Sequence, residues 1–148
     1  MHVVFFIATL GACGGGGGGG DDGGVDAGVS PRCMEAESHS DLAWIQTNIF
    51  SSSCTFSSCH SGTGSQANNL SLDPGHSHDE LVNQHAVEDP GMMLVVPGQS
   101  SQSYLMVAIG AIPGQLPMDG QMPLNSPALC DQKRDAIARW IDAGAAAE

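Results

Sequence analysis

Seven consecutive glycines, residues 14–20, run into a Gly/Asp-rich stretch that ends near residue 30. This segment cannot contribute to a core. Glycine brings no side chain to bury and loses more backbone freedom on ordering than any other residue. Residues 13–40 are therefore expected to form a flexible linker, with an r.m.s. reach of roughly 30 Å if it behaves as a random coil. Asp21, Asp22 and Asp26 read as solvated linker acids. What remains for folding is residues 41–148, about the size of one ordinary compact domain.

The first twelve residues have a different character. Val3-Val-Phe-Phe-Ile-Ala-Thr-Leu10 is apolar and gives way to the small pair Gly11-Ala12 before Cys13. A membrane-spanning helix needs about 20 apolar residues, so this run is too short to be one. An apolar stretch closed by small residues is the pattern of an export signal. Leu10-Gly11-Ala12-Cys13 also resembles the bacterial lipoprotein box, although no Lys or Arg precedes the apolar run. That resemblance implies that residues 1–12 are a signal segment and that Cys13 becomes the lipidated first residue. The expected location is exported, periplasmic or cell-surface, most simply at the outer membrane. The expected bilayer contact is this anchor alone.

Four basic residues stand against sixteen acidic ones, for a formal net charge of −12. Phosphate backbones and anionic bilayers repel such a chain, so nucleic acid is not an expected partner. A basic protein partner is compatible with the charge.

Five cysteines are present: Cys13, Cys33, Cys54, Cys59 and Cys130. With Cys13 lipidated, four remain, and four cysteines allow three pairings. Cysteines of exported proteins are usually paired. Two accounts stay open. In one, Cys33 and Cys130 form a disulfide and Cys54 and Cys59 serve a cofactor. In the other, both pairs are disulfides.

Helical signals dominate residues 41–148. Leu42, Ile45, Ile49 and Phe50 recur at spacings that share one helical face, with Ser40 or Asp41 as cap, and Ser51-Ser52-Ser53 is expected to loosen that helix before Cys54. Residues 69–73 alternate apolar and polar and stop at Pro74-Gly75, residues 80–86 suit a short helix with Leu81 and Val82 inward, and 94–96 is a short apolar run. Residues 100–109 suit a helix capped by Ser100 or Ser101, burying Tyr104, Leu105, Ala108 and Ile109. Pro113, Pro117 and Pro123 exclude regular structure from 110–126. The last helix is expected to start at Ser126 as N-cap with Pro127 at N1, to bury Leu129, Ala136, Ile137, Trp140 and Ile141, and to end at Gly144. The fold class is thus mostly α, a small helical domain with long loops.

Within this frame, Cys54-Thr-Phe-Ser-Ser-Cys59-His60 carries the chemistry. Two cysteines with a histidine behind the second form the order used for covalent c-type haem attachment, where the usual gap is two residues. Here the gap is four residues. Haem c needs two thiols for its vinyl groups, an imidazole on one face of the iron and usually a soft or nitrogen ligand on the other. Cys54, Cys59 and His60 meet the first two needs. For the third, Met122 on the proline-rich loop leads, with Met118 and with His76, His78 or His85 as alternatives. A core with few aromatic residues would also gain from a large apolar cofactor. A zinc reading lacks clear third and fourth ligands.

Residues 45–145 resemble class I-like c-type cytochrome domains of bacterial outer-membrane lipoproteins of the myxobacterial type. The resemblance rests on Ile49-Phe50 before Cys54-x4-Cys59-His60-Ser-Gly62, Asn69-Leu-Ser-Leu-Asp73, Val96-Pro-Gly-Gln-Ser-Ser-Gln-Ser-Tyr-Leu105, Gln121-Met-Pro-Leu124 and Arg139-Trp-Ile-Asp-Ala-Gly-Ala145. It implies a cytochrome c-like fold whose first helix crosses the last near Trp140. It implies one haem c, attached at Cys54 and Cys59 with iron held by His60 and Met122. It also implies electron transfer with a redox protein partner rather than catalysis, because six-coordinate iron has no open position. The rival expectation is a haem-free, disulfide-stapled surface lipoprotein acting as a binding or envelope module. Use of the domain beside an enzyme on another chain is a third.

Overall fold

The computed structural model describes residues 29–56, 59–62 and 67–148. Cys13, the expected signal segment and the glycine run lie outside the described residues. The described chain is mostly helical, and its only β pairing is the isolated bridges Val82–Val95, His85–Met93 and Met93–Ser103.

The packed unit starts earlier than the composition suggested. Helix α1 (Pro31–Ala36) occupies residues expected to end the linker. Ser30 caps it, its hydroxyl accepting from Cys33 N at 3.3 Å, and Pro31 sits in the first turn, where its missing N–H costs nothing. Cys33 and Ala36 are buried against helix α5 (Asp131–Asp142). A disulfide joins Cys33 to Cys130 with the Cα atoms 6.3 Å apart. Arg139 donates to the Ala36 and His39 carbonyls at 2.7 and 2.9 Å, placing a cation on the carbonyl end of α1.

Helix α2 (Leu42–Ile45) begins as expected at Asp41, whose carboxylate accepts from Trp44 N at 2.8 Å. Leu42, Ile45, Ile49 and Phe50 are all buried. The serine run does not end the helix. The chain continues as π-helical turns over Gln46–Cys54, closing with Thr55 N on Phe50 O. The side chains of Thr47, Asn48, Ser52 and Thr55 each donate to the carbonyl four residues back. This back-bonding competes with regular α-helical bonds, and it accompanies the wider turns here.

Helix α3 (Ser77–Leu81) starts three residues before the expected 80–86 segment and ends within it. Leu81 is fully buried, whereas Val82 is extended and pairs with Val95. Between 100 and 109 the chain makes a 3-10 turn (Ser100–Gln102) and then helix α4 (Tyr104–Ala108). Ser103 stands between them, accepting from Val96 N and donating to Gln99 O, both at 2.9 Å.

Helix α5 starts at Asp131, later than the Ser126-Pro127 signal suggested. Cys130 remains extended (φ −63°, ψ 158°), and Leu129 before it is buried. The end is as expected. Gly144 adopts φ +105°, with Gly144 N bonded to Ile141 O and Ala145 N to Trp140 O, both at 2.9 Å. These two bonds satisfy carbonyls of the last turn in a Schellman arrangement.

Ala136, Ile137, Trp140 and Ile141 of α5 enter one core cluster with Ile45, Ile49 and Phe50 from the α2 region, Leu81 from α3, and Leu105 and Met106 from α4. The Trp140 indole N–H donates to Ala146 O at 2.8 Å, so the buried ring has no orphaned donor. Cys33→Ser should cost about 2–5 kcal/mol in urea unfolding, because the bridge closes a long loop of the denatured chain. Reducing the wild type should reproduce the loss.

Candidate functional site

Cys54 closes the π-helical segment, with its side chain half-buried against the main core. Burial pushes its thiol up to about 12; the nearby ammonium of Lys133 opposes that rise and the Cys59 thiol adds to it. Lys133 is itself buried, on the core face of α5. Cys59 is exposed, and neither Cys54 nor Cys59 is in a disulfide. Phe56, between them in sequence, is 70% exposed, an unusual position for a phenyl ring.

The backbone brings His60 back to Cys54: His60 N donates to Cys54 O at 3.2 Å. A second segment holds His60 from the other side. Leu72 N donates to His60 O at 2.8 Å, and His60 Nδ1 lies 3.3 Å from Leu70 O. A carbonyl only accepts, so this contact puts the proton on Nδ1 and leaves Nε2 with the lone pair in the neutral ring. The ring is half-buried. Desolvation lowers its pKa, against smaller raising effects from the Leu70 carbonyl and the Glu88 carboxylate.

Two polar residues that the sequence did not single out support this segment. Gln46 is buried on the π-helical turns, donates to Leu72 O at 2.8 Å and accepts from Ser77 Oγ at 2.5 Å. Asp73 takes hydrogen bonds from Gly62 N and from Ser61, which hold its carboxyl below the usual range. Lys133, beside Cys54, was missed as well, since its spacing on α5 reads simply as part of a charged run.

No helix is formed between Ile109 and Cys130, as the prolines of that stretch require. Met122 is half-buried against the same core cluster as Cys54, and Met122 N donates to Ala108 O at 2.7 Å. The Met122–Pro123 peptide is cis. The loop lies so close to the end of α4 that a Cβ on Gly110 (φ +70°) would stand 2.5 Å from the Gln121 side chain. Met118 is 82% exposed and is not part of the core. His76 is exposed, His78 contacts Asp79 and Ala145 O through its two ring nitrogens, and exposed His85 lies against Pro90 O. Cys54, Cys59 and His60 are thus neighbours, and Met122 shares the core that Cys54 borders.

A separate cleft of about 460 Å³ is lined by Met92, Tyr104, Val107, Leu116 and Met118 together with Glu88 and Asp89. Burial, and after it the carboxylates of Glu88, Asp119 and Asp89, raise the Tyr104 phenol above its ordinary value. The Glu88 carboxylate also acts, as the smallest of the named effects, on His60. Among the described residues no three His, Cys, Asp or Glu side chains cluster as a metal site, and no helix is long and apolar enough to cross a membrane. Comparison with known proteins finds no matching family model, no similar curated protein and no similar solved structure.

Two outcomes follow from these environments. At pH 8, iodoacetamide should modify exposed Cys59 before Cys54, and the difference should vanish in denaturant; peptide mass mapping reads both. The folded state holds the His60 pKa below its unfolded value, so the unfolded chain takes up the proton first as pH falls. The resulting stability is present above about 6.5 and is lost on acidification. His60→Gln should flatten the pH 7 to 5 part of that profile in denaturant titrations.

Proposed function

We propose that this chain is a single-haem c-type electron-transfer protein with a cytochrome c-like fold, exported and lipid-tethered through Cys13. The observation that carries this reading is the division of the cysteines. Cys33 and Cys130 are bridged, while Cys54 and Cys59 are free thiols beside a histidine whose Nδ1 is held by a carbonyl. An imidazole held in this way presents Nε2 in a defined direction and is a better donor to a metal.

The donor set fits haem c. Cys54 and Cys59 would carry the thioethers, His60 would be the proximal ligand, and the Met122 thioether would be the soft distal ligand, on a loop anchored at Ala108. Exposed apolar side chains support the same reading. Phe56, Val87, Leu116 and Met118 are each more than half exposed, and such surface suits contact with a large apolar group. Bound haem would supply iron that cycles between ferric and ferrous. The chain's part is to fix both ligands on packed segments, so that little rearranges between the two states, and to exclude water with the core-packed loop. With His60 and Met122 both given to the iron, no open ligand position would remain for a substrate, and we assign no catalysis. The acid balance, with Glu88 and Asp89 lining the cleft, favours a basic redox protein as partner.

Co-expression with a haem-attachment system should yield covalent haem, read as a ferrous pyridine-haem spectrum and a mass increase of one haem. Met122→His should lower the midpoint potential, and Cys59→Ser should lose one thioether. A product without haem, lighter by the hydrogens of a Cys54–Cys59 disulfide, would sink the proposal in favour of the stapled surface module.

A further inference from the structure

The turn after His60 is closed by one carboxylate. Gly62 N donates to Asp73 Oδ2 at 2.7 Å, and Ser61 Oγ donates to Oδ1 at 2.9 Å and to Oδ2 at 3.2 Å. Ser71 Oγ lies 3.3 Å from Oδ2 and 3.4 Å from Asp73 N. These bonds extend the pairing made by Leu72 N on His60 O and by His60 Nδ1 on Leu70 O. Gly62 sits at φ +76°, a left-handed conformation that glycine adopts without steric cost. The carboxylate is not used where its sequence position suggests. An aspartate shortly before a helix usually caps it, yet only the backbone carbonyl of Asp73 meets the first turn of α3, accepting from His76 N and Ser77 N. Its side chain points back at 61–62.

The position of Leu70 O against the imidazole is set by the register between 60–62 and 70–73. Direct contacts to His60 supply two bonds of that register, and Asp73 supplies the bonds that fix its far end. We propose that Asp73 is a positioning residue for His60: its carboxylate locks the 60–62 turn onto 70–73, keeping Nδ1–H on Leu70 O and Nε2 aimed one way. The role as it bears on iron rests on His60 being the axial ligand. The locking of the turn does not.

The test uses the full chain with Asp73→Ala and Asp73→Asn, and Asp135→Ala as a control that removes one charge from the exposed face of α5. The first readout is independent of haem. Gly62 amide exchange should quicken by roughly tenfold or more in Asp73→Ala, the scale for losing a hydrogen bond to a charged group. The ¹⁵N shifts of His60 should move from the Nδ1–H tautomer toward a mixture. Asp73→Asn, which keeps one acceptor, should fall between Asp73→Ala and wild type, and it decides the matter if Asp73→Ala does not fold. In haem-loaded protein, the midpoint potential and the hyperfine-shifted His60 resonances should change in Asp73→Ala and stay near wild type in Asp135→Ala. Unchanged Gly62 exchange and His60 tautomer would overturn the lock, whether or not haem is bound. A changed tautomer with a potential matching Asp135→Ala would overturn its bearing on the iron. Wild type without covalent haem would fail the axial-ligand reading while leaving the exchange and tautomer data to judge the lock.

Discussion

The buried face of α5 is the constraint on which the rest of the molecule depends. Ala136, Ile137, Trp140 and Ile141 lie on one side of a twelve-residue helix, and α1, α2 and the 3-10 turn pack onto it. Burying a side chain of this size contributes about 1.5–3 kcal/mol, and few other large side chains are available, since the whole chain has two tryptophans, one tyrosine and four phenylalanines. The Cys33–Cys130 bridge and the Arg139 bonds to Ala36 and His39 attach α1 to this same helix. A domain with a thin core is therefore closed by covalent and charge-assisted ties at the ends of one helix.

The site inherits its order from that packing. Ile49 and Phe50 anchor the π-helical segment in the core, and Cys54 is its last residue. Gln46, on the same segment, reaches Leu72 O and Ser77 Oγ, so the strip that holds His60 is hung from the helix that carries Cys54. Burying an amide is unfavourable unless its donors and acceptors are met, and here both ends of Gln46 are engaged. The Met122 loop is held by other elements, by α4 at Ala108 and by Arg134 of α5 on Gly110 O at 3.2 Å.

Local signals were readable in the sequence, and bonds between distant residues were not. Asp41 as cap, the apolar spacing through Phe50, the α5 face and Gly144 are each dictated by a few adjacent residues, and each is found. The helix at Pro31–Ala36 carried a usable signal, Ser30-Pro31, that the surrounding glycine-rich composition masked. Ser126-Pro127 was the converse case, a good cap signal with no helix behind it, because α5 starts only after Leu129 is buried and Cys130 is bridged. The serine run sits in the widened, π-helical part of the helix, where Ser52 Oγ returns to the Asn48 carbonyl. Gln46 and Asp73 act across 26 and 11–12 residues, and no periodicity or spacing marks such partners in advance.

The four-residue gap between the cysteines takes on a different meaning once the backbone is considered. Counted along the chain, the extra residues lengthen the path from Cys54 to His60. In the folded chain the hydrogen bond from His60 N to Cys54 O closes the step, and Thr55 N still belongs to the π-helical turn through Phe50 O. What separates Cys54 from Cys59 is solvent exposure: Cys54 borders the core near Lys133, while Cys59 faces water. The proposed attachment therefore asks more of Cys54, a thiol that borders the core, than of Cys59, which already faces water.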